Sequence, residues 1–312
     1  MTAHPFRFTL QGSRCRTVAE FTELARKAED LGYQAVTIAD HFDGQVGPLV
    51  ALAAAAQVTT TLELGTLVLA NDYRHPVVAA KEIASLDELS GGRVIFGLGA
   101  GWALDDYEHA GLTLDRPGVR IDRLTEALDV YDALFSGEPV SFHGTHYRVD
   151  GIVGAPRPVR QPRPTLLIGG GGKRMLQLAA TRADIVAVNV NLSGGRIDAS
   201  VGPDATAERT DQKVAWIREA AATRATAPRL QVRIHVAAVS DDRQGMAELL
   251  AEGLGLTPAE ALLSPFQIVG SVDEIVDLIV ARRDRWGFTD IGLSSGALEE
   301  FAPVVARLAG TS

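Results

Sequence analysis

Asp40 and His41 stand together at the end of the β-rich run Ala35-Val-Thr-Ile-Ala39. An imidazole so placed exchanges protons near neutral pH, and a neighbouring carboxylate orients it or holds a ligand. The residues by themselves leave another reading open, in which Asp40 caps the next turn and His41 is a packed polar side chain. A ligand is indicated more directly by Gly169-Gly-Gly-Gly172, which runs into Lys173, Arg174 and the helical stretch Met175–Thr181. Gly170, Gly171 and Gly172 would present successive N–H groups at a helix N terminus, with Lys173 and Arg174 adding positive charge, and that combination implies a phosphate-bearing ligand. It is not a Walker A loop, because Leu167 stands where that motif starts with glycine and Arg174 where it has Ser or Thr. A second glycine run, Gly97-Leu-Gly-Ala-Gly101-Trp102, brings backbone close to something. It is no dinucleotide fingerprint, since Trp102 takes the place of the third glycine. Trp102 either stacks on a planar ring or simply packs. His143 and His146 have a ligand-like spacing but no evident third ligand, so no metal is assigned to them. Arg157, Arg160 and Arg163 form either a solvated face or an attractor for an anionic cofactor tail.

Something must position these residues, and the periodicity says what. Short β-rich runs alternate with long amphipathic segments, the pattern of a parallel sheet covered by helices. Strands are expected at Phe6–Leu10, Ala35–Ala39, Glu63–Leu69, Val94–Leu98, Thr165–Ile168, Ile185–Val190, Gln231–Val239 and Asp290–Leu293. Eight strands in such alternation over 312 residues predict a single (β/α)₈ TIM barrel spanning 1–312, a fold that takes roughly 250 residues plus insertions. Capping boxes at Thr17–Glu20, Thr257–Glu260 and Ser271–Glu274 mark helix starts, and Gly32, Gly91 and Gly92 mark stops. Two stretches break the alternation. Gly137–Pro164 reads as a hairpin insertion before strand five, and Asn191–Asp204 as a polar loop after strand six. Loops that follow barrel strands line the active site, so the second is a candidate lid, with an idle solvated connection as the other reading. The same rule puts Asp40 and His41 at the catalytic mouth of strand two.

Composition excludes several function classes. A net charge of −9 argues against a nucleic-acid partner, which would need clustered Lys and Arg, and favours a small-molecule substrate. Cys15 is the only cysteine, so there is no intrachain disulfide and no cysteine-rich metal site, as expected in a reducing cytoplasm. Met1–Leu10 lacks the apolar core of a secretion signal, and the longest apolar run, Leu49–Ala56, is too short to span a bilayer.

The motifs occur in a fixed order: Asp40-His41, Leu64–Leu69, Arg74-His75-Pro76, Leu89-Ser-Gly-Gly-Arg93, Gly97–Trp102 and Gly169–Gly172. In that order the chain resembles the bacterial luciferase-like monooxygenase superfamily, and most closely its actinobacterial branch dependent on coenzyme F420, a phosphate-bearing deazaflavin. The resemblance runs from about Phe8 to Leu308, and its most specific part is Leu-Ser-Gly-Gly-Arg with the glycine run ending in Trp102. It implies that Asp40 lies beside the cofactor ring and that His41 is the proton donor or electrophilic helper. It implies a cis peptide between Leu67 and Val68, bulging against the ring. Ala70 matches a position that often holds the cofactor through a threonine, so here only its backbone could serve. Ala100, Gly101 and Asp105 match residues along the cofactor's chain, and Gly171, Gly172, Arg174 and Met175 its phosphate loop. The chain departs from the pattern at Trp102, where sugar-phosphate dehydrogenases of this family carry a glutamate. An indole cannot transfer protons in a carboxylate's place, so that chemistry is disfavoured. Tyr107, Glu108 and His109 are the substitutes within reach along the sequence.

The function expected on this basis is hydride transfer between F420 and a small organic substrate, with His41 protonating or polarising the substrate and Trp102 in the ring pocket. A monooxygenase dependent on flavin mononucleotide (FMN) is the first alternative. A non-redox barrel enzyme using the anion site, or a silent binding homologue, is the next. A homodimer is expected by family analogy, with Val50–Val58 a candidate contact that core packing would explain equally well.

Overall fold

The computed structural model describes residues 4–312, backbone only at 252–254. Its eight central strands are Arg7–Gln11, Ala35–Ile38, Glu63–Thr66 (resumed at Leu69–Ala70), Val94–Gly99, Thr165–Gly170, Ile185–Val188, Arg229–Arg233 and Phe288–Ser294, here strands one to eight. All neighbours pair in parallel, and strand three meets strand four through Leu64 opposite Val94, which closes the sheet into a barrel. Closure explains the composition of these strands. Each has helices outside and other strands' side chains inside, so strands two, four and six are buried along their whole length. The interior is small: Ala35, Ile95, Leu167, Ile185 and Ala187 form it, with Leu67 and Val68 packed against it. A much larger apolar layer lies between barrel and helices.

The expected punctuation is found. Thr17, Thr257 and Ser271 each close a reciprocal capping box, and Gly91 ends the helix Pro76–Ser90 in the left-handed conformation at φ 69°. The insertion before strand five is the hairpin Pro139–His143 and Arg148–Val153, where His143 hydrogen-bonds Asp150.

Two expected strands differ. Strand three does not run unbroken over Glu63–Leu69: it leaves the ladder at Leu67–Val68, a cis peptide bond, and resumes at Leu69. The run Gln231–Val239 is two strands rather than one. The Ile234 N–H still bonds the Gly292 carbonyl of strand eight, whereas the His235 N–H has changed partner to the Phe266 carbonyl. Val236–Val239 then pairs with Gln267–Gly270, a strand absent from the expected set. An apolar run shows that a segment is extended and buried but not which neighbour its backbone bonds.

Arginines close the end of the barrel away from the mouth. Arg7 pairs with Glu63, and Asp290 lies 3.7 Å from Arg7 and 3.8 Å from Arg229. Arg160 bonds Thr165 and Glu63, and Arg163 bonds Asp184 at 2.5 Å. These contacts are at the start of strand five, so Arg160 and Arg163 tie down the closed end of the barrel, and neither they nor Arg157 lines the cavity at the mouth. Arg93, from the Leu-Ser-Gly-Gly-Arg motif, is also structural. Its guanidinium donates to the carbonyls of Ser90, Leu62 and Ala56 at 2.7, 2.8 and 2.9 Å and to the Thr59 hydroxyl at 2.9 Å. It thereby joins two helix ends to the start of strand three. Arg93→Met should destabilise the fold by about 2–4 kcal/mol, read as a lower urea midpoint at unchanged slope, because three carbonyls and a hydroxyl lose a charged donor.

Candidate active site

At the C-terminal mouth of the barrel the strand ends and their loops surround a cavity of 490 Å³. His41 and the residues that the resemblance matched to the cofactor site all line it, except Asp105. Asp105 is exposed and its carboxylate accepts from Arg196 at 3.1 Å.

The floor is the break in strand three. Val68 rises between strands four and five, and the glycines of both runs make room for it. A Cβ on Gly99 would stand 2.7 Å from Val68 Cγ2 and one on Gly169 3.2 Å from Val68 Cγ1. Gly97 has no room either, since a Cβ there would collide with the Thr66 carbonyl. The Thr66 hydroxyl fixes that crossing, accepting from the Gly97 N–H at 2.9 Å and donating to the Gly97 carbonyl at 2.7 Å. The backbone that Gly97 approaches is thus the protein's own third strand.

Asp40 and His41 are adjacent in sequence but separate in role. The buried Asp40 carboxylate accepts from both Arg74 Nη1 and Nη2, at 2.6 and 3.0 Å, and from the Ala70 N–H at 3.1 Å. It clamps the loop after strand three, and the Ala70 N–H is already committed to it. His41 is oriented by Asp106, whose Oδ2 lies 2.6 Å from Nδ1 and whose Oδ1 accepts from the Phe42 N–H at 3.3 Å. With Nδ1–H on this carboxylate, the tautomer is set and Nε2 is the nitrogen left to a ligand. The Trp102 ring meets His41 edge-on at 5.6 Å, and the Tyr73 hydroxyl donates to Asp106 at 3.4 Å. Burial, and then the Asp106 charge, raises the Tyr73 pKa, so the phenol stays protonated. None of the suggested replacements for the missing glutamate reaches the cavity. Tyr107 is buried on Asp72 at 3.0 Å, His109 is exposed beside Asp43 at 3.5 Å, and Glu108 is exposed.

On the far side, strand five runs through Gly170 and Gly171 into the helix Lys173–Arg182, whose cap Gly172 makes no side-chain hydrogen bond. Gly170 and Gly171 are held bare by Met175 and the Val190 carbonyl, while a Cβ on Gly172 would meet nothing nearer than Asn191, at 3.7 Å. Gly172, Lys173 and Arg174 line the cavity at that uncapped first turn, an arrangement suited to an anion. Arg174 is partly engaged, with Asp122 and the Gly118 carbonyl. The loop after strand six walls the cavity with Leu192, Ser193 and Ile197. Its Gly195 carbonyl accepts from the Leu104 N–H at 3.0 Å, and its end is anchored by the buried Lys213, 2.5 Å from Asp204.

The family model described as luciferase-like monooxygenase matches residues 1–263. The chain belongs to this family. Its fold is similar to that of the F420-dependent tetrahydromethanopterin reductase of Methanopyrus kandleri, at TM-score 0.79 and 19% identity over 98% of each chain. It is also similar to an F420-dependent secondary alcohol dehydrogenase solved with an F420-acetone adduct (TM-score 0.78, 18% identity, 97% of this chain and 98% of that one). A monooxygenase from Streptomyces bottropensis matches at TM-score 0.75 and 23% identity over 97% of both.

Sequence reasoning missed Asp106, Tyr73, Arg120, Arg233 and His235, all of which line the cavity. Asp106 carried one signal, its place in the first turn of the helix that follows the Trp102 loop. Arg233 and His235 were hidden inside what read as a single strand. Asn189 Oδ1 accepts from the Val190 N–H at 2.8 Å, so His235 Nε2 must donate to it at 2.9 Å. Burial, with Arg233 adding to it, pushes the His235 pKa down from 6.5 to about 4. The unfolded chain then binds the extra proton first, so this group's stability is complete above pH 6.5 and is lost as pH falls toward 4. His235→Gln should flatten the stability-against-pH curve in that window by up to about 3 kcal/mol, read from urea midpoints at successive pH values.

Proposed function

We propose that the protein is an F420-dependent oxidoreductase, one barrel domain that moves a hydride between the deazaflavin and a small organic substrate. The observation that carries this reading is the pairing, across one cavity, of an Asp106-oriented His41 with the uncapped helix start at Gly172 and Lys173. The residues present fit the group. The phosphate would rest on the N–H groups at Gly172–Arg174 with Lys173 beside it, and the ring would lie over Leu67 and Val68 between Trp102 and the loop after strand six. Gly170, Gly171, Ala100, Gly101 and Met175 would line its path. The likeness in fold to two F420 enzymes supports the same choice. When bound and reduced, the deazaflavin supplies the hydride.

The protein's own residues do the rest. His41 holds a proton on Nε2 for a substrate carbonyl oxygen or imine nitrogen, and Asp106 balances the imidazolium through Nδ1. Asp40 and Arg74 fix the loop that carries Ala70, keeping the floor in place. Leu192 and Ile197 exclude water from above.

FMN-dependent oxygenation is the second reading, because a phosphate cradle serves either cofactor and the barrel is shared with a monooxygenase. Of the candidate contact Val50–Val58, Val50 is exposed while Ala51, Leu52, Ala55 and Ala56 are in the core; a homodimer and a cytoplasmic location are part of the proposal. No helix among the described residues is long and apolar enough to cross a membrane.

Titration of the purified protein into oxidised F420 should change the deazaflavin fluorescence saturably. No change, with tight FMN binding and oxygen consumption in the presence of reduced FMN, would establish the second reading instead. His41→Ala should lower kcat about 10²–10⁴-fold while leaving F420 affinity within a few-fold, and Asp106→Asn should fall between it and the parent.

A further inference from the structure

The cofactor reading uses strands two to six. The remaining sector of the mouth, formed by strands one, seven and eight, holds a cation with no counter-ion. Arg233 ends strand seven, and its exposed surface faces the cavity. Its Nε donates to Gln11 Oε1 at 2.6 Å, Nη1 to the Ile234 and Gly292 carbonyls at 2.5 and 3.4 Å, and Nη2 to the Ser294 hydroxyl at 2.9 Å. All four acceptors are neutral, and no carboxylate among the described residues forms a salt bridge with it. Gln11 in turn donates to the Leu67 carbonyl at 2.9 Å, which fixes the guanidinium relative to the cavity floor. Five donors less four acceptors leave one Nη2–H. Ser13, just beyond Gln11 on the same rim, lines the cavity with a buried hydroxyl that has no partner.

The geometry points to a subsite in which Arg233 and Ser13 bind a carboxylate of the substrate. Two unspent donors and one positive charge suit a carboxylate's two oxygens, whereas a phosphate would leave an oxygen without a donor. Burial lowers the Arg233 pKa to about 10, so it remains charged at neutral pH. His235, kept neutral two residues later, adds no second cation to draw a dianion. Resting on the proposed function, this subsite makes the substrate a small oxo or imino compound bearing a carboxylate, with His41 across the cavity as its proton source. The positive charge would hold the substrate in one orientation and discriminate against its neutral analogues.

The test needs no cofactor. Thermal unfolding of the full chain would be followed with acetate, benzoate, their neutral counterparts acetamide and benzamide, and inorganic phosphate, for the parent protein, Arg233→Gln, Arg233→Lys and Ser13→Ala. At least one carboxylate should raise the parent's Tm while its amide does not. Arg233→Gln should weaken that carboxylate at least tenfold, Ser13→Ala less, and Arg233→Lys should retain part of the effect. Equal stabilisation of the parent and Arg233→Gln, amides matching carboxylates, or a response to phosphate alone would overturn the assignment. F420 titration of Arg233→Gln forms a separate arm. Affinity within about threefold of the parent is expected, and a variant that loses F420 while keeping benzoate would assign Arg233 to the cofactor. If the parent fails to bind F420 yet binds carboxylates through Arg233, the proposed function falls and the subsite stands.

Discussion

Space around Val68 is the constraint on which the mouth of this barrel depends. Strand three leaves its ladder there, and the side chain that rises into the gap occupies volume that strands four and five would ordinarily fill with their own. Gly97 and Gly99 are bare because Thr66 and Val68 leave no room for their Cβ atoms, and a Cβ on Gly169 would press on Val68. At Gly97 the obstacle is backbone, and tightly packed interiors do not absorb an added methyl group there without moving it. The break, the two glycine runs and the shape of the cavity floor are therefore one feature, although they come from three distant parts of the chain.

Around that floor, buried polar groups divide the work. Asp40, beside His41 in sequence, is taken up by Arg74 and the Ala70 amide, while Asp106, far along the chain, is the carboxylate that meets the imidazole. Consecutive residues at a strand end point in opposite directions, so neighbours in sequence rarely serve the same contact, whereas groups from successive loops converge on the barrel axis. Trp102 takes part from the same rim, as an edge against the imidazole ring.

Charge is distributed to match. At the closed end Arg7 meets Glu63 and Arg163 meets Asp184, and these pairs hold the strand starts together. At the open end two cavity-lining arginines are left with neutral acceptors: Arg233 on carbonyls, an amide and a hydroxyl, and Arg120 on the carbonyls of Asp115 and Gly101. A cation without a protein anion in a cavity lowers the cost of admitting an anionic ligand and raises that of an empty site.

Sequence by itself determined the alternation of strands and helices, the capping boxes at Thr17, Thr257 and Ser271, the hairpin insertion and the set of segments that meet at the mouth. Each of these follows from local periodicity or from a side chain bonding its own backbone within a turn, and needs no knowledge of distant partners. The glycine runs were legible as places of close approach, and the bond between Leu67 and Val68 was marked by family resemblance. Only the tertiary structure decided what approaches what. It placed the third strand against the glycines, chose Asp106 over Asp40 for His41, turned Arg160 and Arg163 into struts of the closed end, and drew Asp105 away to Arg196. It also split Gln231–Val239 at His235, which set Arg233 at the rim. These outcomes depend on which backbone and side-chain groups find each other across tens of residues. Burial and hydrogen-bond satisfaction select those pairs in the closed barrel, and no local pattern records them.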